Sequence, residues 1–182
     1  MSGIVEEFKR QIATPDLPDL GPEPRASVIS EAALNRLIDR FLDRSKYSSV
    51  SGELIRSLVL LWHDHLEAAH QIAQNIENAD GSFVHGIMHR REPDYGNAKY
   101  WFRRVGQHPC FPKLAEKVSE TTGSKQGMKL VENLVHNGEW DSFAFVDACE
   151  RASQRAKSDP LQQLLRTIQR IEFEVLLESF CR

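Results

Sequence analysis

Imidazole, guanidinium and carboxylate side chains crowd into one stretch of this sequence, WHDHLEAAHQIAQNIENADGSFVHGIMHRREPDYGNAKYWFRRVGQHPC, from Trp62 to Cys110. It holds six of the seven histidines. His85 and His89 stand four residues apart, a spacing that on a helix aims two imidazoles at one metal ion, with Glu92 one turn further on as a third ligand or a base. The metalloprotease form needs a glutamate directly after the first histidine. Gly86 stands there instead, so that mechanism is not indicated. Upstream, His63, Glu67 and His70 fall at i, i+4 and i+7, and Glu67 to His70 matches the Glu-x-x-His spacing of metal-binding helical bundles. A solvated polar helix face produces the same pattern. His65 projects among Leu58, Leu61, Trp62, Ala69 and Ile72, where a neutral imidazole bonded to a carbonyl or carboxylate is expected.

Arginine adds a second kind of chemistry. Arg90-Arg91 and Arg103-Arg104 flank a turn, and a guanidinium fork suits carboxylates and phosphates. Asn97, Tyr100, Trp101 and Arg104 share adjacent lines of the next helix and offer an amide, stacking rings and a cation, although Tyr-Trp also fills cores. The alternative use of these arginines is pairing with Glu92, Asp94 and Glu67.

Composition bounds the setting. With 182 residues, 41% hydrophobic and 27% charged, the expectation is one globular domain over residues 1–182. The net charge is −3, which gives no general reason to expect nucleic acid. From His85 to His108, however, five Lys/Arg face only Glu92 and Asp94. The three cysteines, Cys110, Cys149 and Cys181, show no zinc-finger spacing and suggest a reducing compartment. MSGIVEEFKR lacks the pattern of a signal peptide, and the longest apolar run, LVLLW, is too short for a membrane span, so a cytoplasmic location is expected. Nothing in the sequence opposes a homo-oligomer.

The elements that must position these residues read as helices. Residues 1–12 predict a short one. Residues 14–25 hold four prolines and predict an extended connector on the surface. Ser30 marks an N-cap for a helix ending near Arg44. The longest helix of the first half is predicted over residues 53–77, apolar all round in its first part and therefore buried there. Ser82 is expected to cap a helix to Arg91, and Asp94 another over 95–105, closed by Gly106. Weaker helices are expected at 112–121 and 126–135, the second closed by Asn137-Gly138. Asp141 caps one to about Ala156. Asp159-Pro160 opens a long C-terminal helix whose seam from Leu161 to Phe180 is expected to pack along the 53–77 helix. No strand alternation or internal repeat is visible. The class is all-α, a compact helical bundle with a long central and a long C-terminal helix.

The string HGIMHRREPDYGNAKYWFRRVGQHP, preceded by WHDHLEAAHQIAQ, resembles a block in a family of uncharacterised bacterial and fungal proteins. It covers Leu60 to Pro109, somewhat over a quarter of the chain. That resemblance implies a shared site. The family has no assigned activity, so no residue roles come with it.

Two functions are open at this level. The first is an enzyme acting on a small anionic molecule, with or without a divalent metal (zinc, iron or manganese). Its expected pocket is lined by His63, Glu67, His70, His85, His89, Glu92 and one or more of Arg90, Arg91 and Arg104. In the metal version His85 and His89 are ligands with His70, Glu67 or Glu92, and a bound water is the nucleophile. Without metal, one of His63, His70 and His89 is the general base, with Glu92 beside it, and Arg90, Arg91, Asn97, Tyr100 and Arg104 hold the anion. The second is a non-catalytic binding or assembly protein in which the same cluster is a structural polar network.

Overall fold

Polar residues placed just ahead of the apolar runs start most of the helices. In the computed structural model, which describes residues 3–121 and 124–182, the side chains of Ser48, Asn78, Asp94, Ser124, Asp141 and Asp159 each accept a hydrogen bond from a backbone N–H of the turn that follows. Each bond satisfies a donor that a helix start leaves without an intrahelical partner. The described residues form ten helices: α1 (Gly3–Gln11), α2 (Glu31–Asp43), α3 (Ser49–Trp62), α4 (Leu66–Ala73), α5 (Ala79–Arg91), α6 (Tyr95–Val105), α7 (Phe111–Ser119), α8 (Lys125–Leu134), α9 (Ser142–Ala152) and α10 (Pro160–Phe180). The fold is all-α and compact, with the long C-terminal helix expected. Residues 1 and 2 of the expected first helix lie outside the described residues. Among the described residues, no helix is long and apolar enough to cross a membrane.

Several boundaries depart from the sequence reading. α5 starts at Ala79, capped by Asn78, so Ser82 lies inside the helix. α9 stops at Ala152, short of Ala156. Asn137 and Gly138 do more than end a helix. Their positive φ angles (53° and 80°) turn the chain between two-residue strands, β1 (Val135–His136) and β2 (Glu139–Trp140). Strands that short show no alternation to read.

The helix predicted over 53–77 is two helices. α3 ends at Trp62, and Asp64 sits in the left-handed region with φ 61°. The amide of His65 donates to the Leu60 carbonyl and that of Asp64 to the Leu61 carbonyl. This is a Schellman stop, with aspartate where glycine is usual. Tertiary partners hold it there. The Asp64 carboxylate accepts from the Arg25 backbone N–H (3.0 Å), from Arg25 Nε (2.8 Å) and from Arg91 Nη2 (2.7 Å).

Arg25 also corrects the picture of the 14–25 connector. Part of it is a packed strap, with Asp19, Leu20 and Arg25 buried. Gln169 of α10 donates to the Asp19 carbonyl. The centre of the molecule is α3, α5 and α10. α10 packs on α3 as expected, with the Trp62 and Phe173 rings 4.5 Å apart. Every residue of α5 from Gly81 to Arg91 is buried. Gly86 lets α6 approach, because a Cβ there would stand 2.8 Å from the Phe102 ring.

Candidate metal centre

α5 carries His85 and His89 one turn apart on the same side, and α4 crosses that side with His70. The result is a group of three imidazoles whose nitrogens lie within 4.8 Å of one another. The ring centroids are 5.1 Å apart for His70 and His85, 5.6 Å for His70 and His89, and 5.9 Å for His85 and His89. His85 and His89 are buried and His70 is half-buried. Bonds of about 2.0–2.1 Å to a tetrahedral zinc imply nitrogens about 3.4 Å apart, so an ion would draw the three rings in by rotamer adjustment. The break at Asp64 makes this possible. It redirects the chain after α3 and so sets the course of α4.

α6 forms the wall of the site. Trp101 stacks on His85 at 4.0 Å, 7° from parallel. The Asn97 amide lies 3.1 Å from Nε2 of His89. Glu92 Oε2 is 3.3 Å from Nδ1 of His89, an arrangement that fixes the tautomer and orientation of a ligating imidazole. Nδ1 of His85 is buried and finds no partner in good hydrogen-bond geometry, although the Gly81 carbonyl lies close enough to act on the ring. Burial lowers the pKa of His85 to about 4, helped by the charges its His70 and His89 neighbours would carry; the Gly81 carbonyl opposes the shift. Burial also lowers His89, against the opposing pull of Glu92. Both rings are therefore neutral at physiological pH, the form in which imidazole binds metal.

Other residues expected at the site are placed elsewhere. Glu67 is exposed on α4, where it accepts a hydrogen bond from Gln71 and stands outside the histidine group. His63 cannot join it. Nε2 of His63 donates to the Ile12 carbonyl (3.0 Å) and Nδ1 accepts from the Ile29 amide (3.2 Å), so the ring ties two N-terminal segments to the end of α3. His65 is half-buried and bonded to the Ile29 carbonyl. Arg90 makes a two-pronged pair with Glu172 (3.0 and 2.5 Å) and lies 4.3 Å from the Phe145 ring centre. Arg91 is taken up by Asp64 and by the Leu61 carbonyl. These pairings replace the ones expected with Glu92, Asp94 and Glu67. Both arginines serve the interior, and neither is free for an anion. Tyr100 is exposed and edge-on to Trp101, while Arg104, also exposed, stands 5.3 Å from the Trp101 ring centre. The wall role of Trp101 was within reach of the sequence, since it falls one turn after Asn97 on the face turned to α5.

His63 gives a pH dependence of its own. Burial is the main force that lowers its pKa to about 4, and the nearby Arg25 adds to it. The unfolded chain then takes up this proton first as pH falls through about 6.5, so the stability is present above that value and is lost toward pH 4. The contribution is about 2 kcal/mol between pH 7 and 4.5. Urea denaturation of the native protein and His63→Gln at both pH values should show a gap between them that narrows by that amount in acid.

No family model, curated protein or solved structure matches this chain.

Proposed function

We propose that His70, His85 and His89 hold one divalent ion, zinc foremost, and present it to a small anionic molecule. The observation that carries this reading is the convergence of three imidazoles from two helices within 4.8 Å. Its support is chemical as well as geometric. Buried nitrogens without a partner occur on His85 and on Arg90 and Arg91 alike; what sets the histidines apart is that burial keeps the His85 and His89 rings in the neutral form that binds metal. Arg90 and Arg91 each leave Nε without a partner but commit both other guanidinium nitrogens to buried acceptors, and for them the network reading holds.

Three neutral ligands leave the charge of a divalent ion uncompensated, which favours an anionic ligand at the remaining position. Such an ion polarises an oxygen of that ligand and acidifies a bound water, so hydrolysis is the reaction class this donor set serves best. Glu92 orients His89. Asn97 must turn its amide off Nε2 if that nitrogen is to bind the ion. Trp101 excludes water from one side of His85, and Arg104 sets a cation at the edge of that wall. The block from Leu60 to Pro109 that resembles the bacterial and fungal family contains all three histidines.

Elemental analysis of protein purified without a nickel column, with and without prior incubation with zinc, iron or manganese salts, is the test. One ion per chain is expected, and its loss in His85→Ala and in His89→Ala. Folded protein that takes up none of the three metals overturns the proposal. So does equal uptake by the variant lacking both His85 and His89.

A further inference from the structure

A second constellation lies beside Phe83 and shares no residue with the metal site. His108 Nε2 is 2.8 Å from Asp80 Oδ1, and His108 Nδ1 is 3.0 Å from Cys110 Sγ. The backbone amide of Cys110 also donates to Nδ1 (3.3 Å). These contacts agree on one tautomer. Nε2 carries the proton and gives it to Asp80, which leaves the Nδ1 lone pair facing the thiol. We propose that Cys110, His108 and Asp80 form a peroxide-reactive thiol site, with His108 as the base and Asp80 as the residue that positions it.

The chemistry balances with hydrogen peroxide as the oxidant. As Sγ attacks one peroxide oxygen, His108 Nδ1 takes the thiol proton. The S–O bond forms while the O–O bond breaks. Sulfur is oxidised to sulfenic acid, the second peroxide oxygen is reduced, and the proton held by His108 passes to the departing hydroxide to give water. Burial selects the reactant. Cys110 is 6% exposed and His108 5%, and the rings of Phe83 and Phe111 stand 5.2 and 5.8 Å from that of His108. A molecule the size of peroxide can enter by local breathing, whereas a peptide or acyl chain cannot. The charged groups acting on Cys110 are Glu172, Asp80 and Arg182; burial pushes its thiol up to about 12. A standing thiolate is therefore absent, and the proton must leave during attack, as it does from the serine of a hydrolase triad. Cys149 is buried, with Arg90, Glu172 and Arg151 as its charged neighbours, and Cys181 is half-buried against Tyr47. Neither makes a hydrogen bond to a histidine among the described residues.

The test is peroxide treatment of the full chain with a chelator present, removal of the peroxide with catalase, then unfolding in a dimedone-type trap for sulfenic acid and peptide mass spectrometry. Cys110 should label faster than the more accessible Cys181. Its rate should not climb with hydroxide concentration, because the base is a side chain beside the thiol. His108→Gln should slow labelling about a hundredfold. Asp80→Asn should lower the rate, since the imidazolium formed during attack loses its carboxylate. A rate that climbs tenfold per pH unit beyond pH 9, or one that follows exposure alone, overturns the proposal. Should His108→Gln unfold the chain, revealed by labelling of Cys149, the native pH profile and Asp80→Asn decide the matter.

Discussion

Asp64→Asn should destabilise the protein by about 3–5 kcal/mol, the range for removing one partner of a buried ion pair. Most proteins have only about 5–15 kcal/mol in total, so this is among the largest single losses available. The Asp64 side chain is fully buried, and the Arg25 and Arg91 side chains it neutralises are 5% and 2% exposed. Burial alone would push its carboxyl up, but the hydrogen bonds from Arg25 and the charge of Arg91 outweigh that and hold it below the ordinary 3.8. The stability it contributes is therefore present above pH 4 and is lost as acid protonates it in the folded state. Asparagine tolerates the left-handed backbone nearly as well as aspartate, so the substitution isolates the charge. Asp64→Gly supplies the converse control, because glycine suits φ 61° best and has no carboxylate. Urea denaturation should rank the two variants together, far below the native chain. A glycine variant as stable as native would mean that conformation, not ion pairing, governs this turn. Both variants should also loosen metal uptake, since the same turn sets the course of α4 toward His70.

That turn marks the limit of what the sequence could disclose. Periodicity runs through residues 53–77 without interruption, and the partners that stop the helix, Arg25 and Arg91, lie 39 and 27 residues away. Treating the segment as one helix put His63 and His70 on a common stripe. Breaking it sends His63 to Ile12 and Ile29 and leaves His70 facing α5. The pairing of His85 with His89 was legible because both sit inside one helix, where spacing alone fixes the face. The same holds for Asp94, Asp141 and Asp159 as caps, since a cap is a local device. Arg90 and Arg91 were legible as cations but not as interior ones. α5 is polar in composition, and its burial depends on Glu172 from α10 and Asp64 from the turn. Asp80 and His108, 28 residues apart, give no sequence signal of their contact.

Metal should stabilise the native chain strongly, and should keep doing so at mildly acidic pH. An ion that binds only the folded state adds about 4 kcal/mol when it is present at a thousand times its dissociation constant. Protons compete for the same nitrogens, and three ordinary imidazoles would lose about 10³ in affinity between pH 7.5 and 5.5. Here burial has already lowered His85 to about 4 and has lowered His89 as well. The His85 ring gives up no proton on binding in that range and His89 gives up less than an ordinary imidazole, which keeps the loss well short of that factor. Zinc titration followed through Trp101 fluorescence is suited to the measurement, because that indole stacks on His85 at 4.0 Å. Thermal unfolding at both pH values, with and without zinc, gives the matching stability. Replacing His85 and His89 together should abolish the zinc-dependent gain and the Trp101 response. A thousandfold fall in affinity by pH 5.5 would show that ordinary surface histidines bind the ion. An unchanged response in the double variant would place the metal elsewhere on the chain.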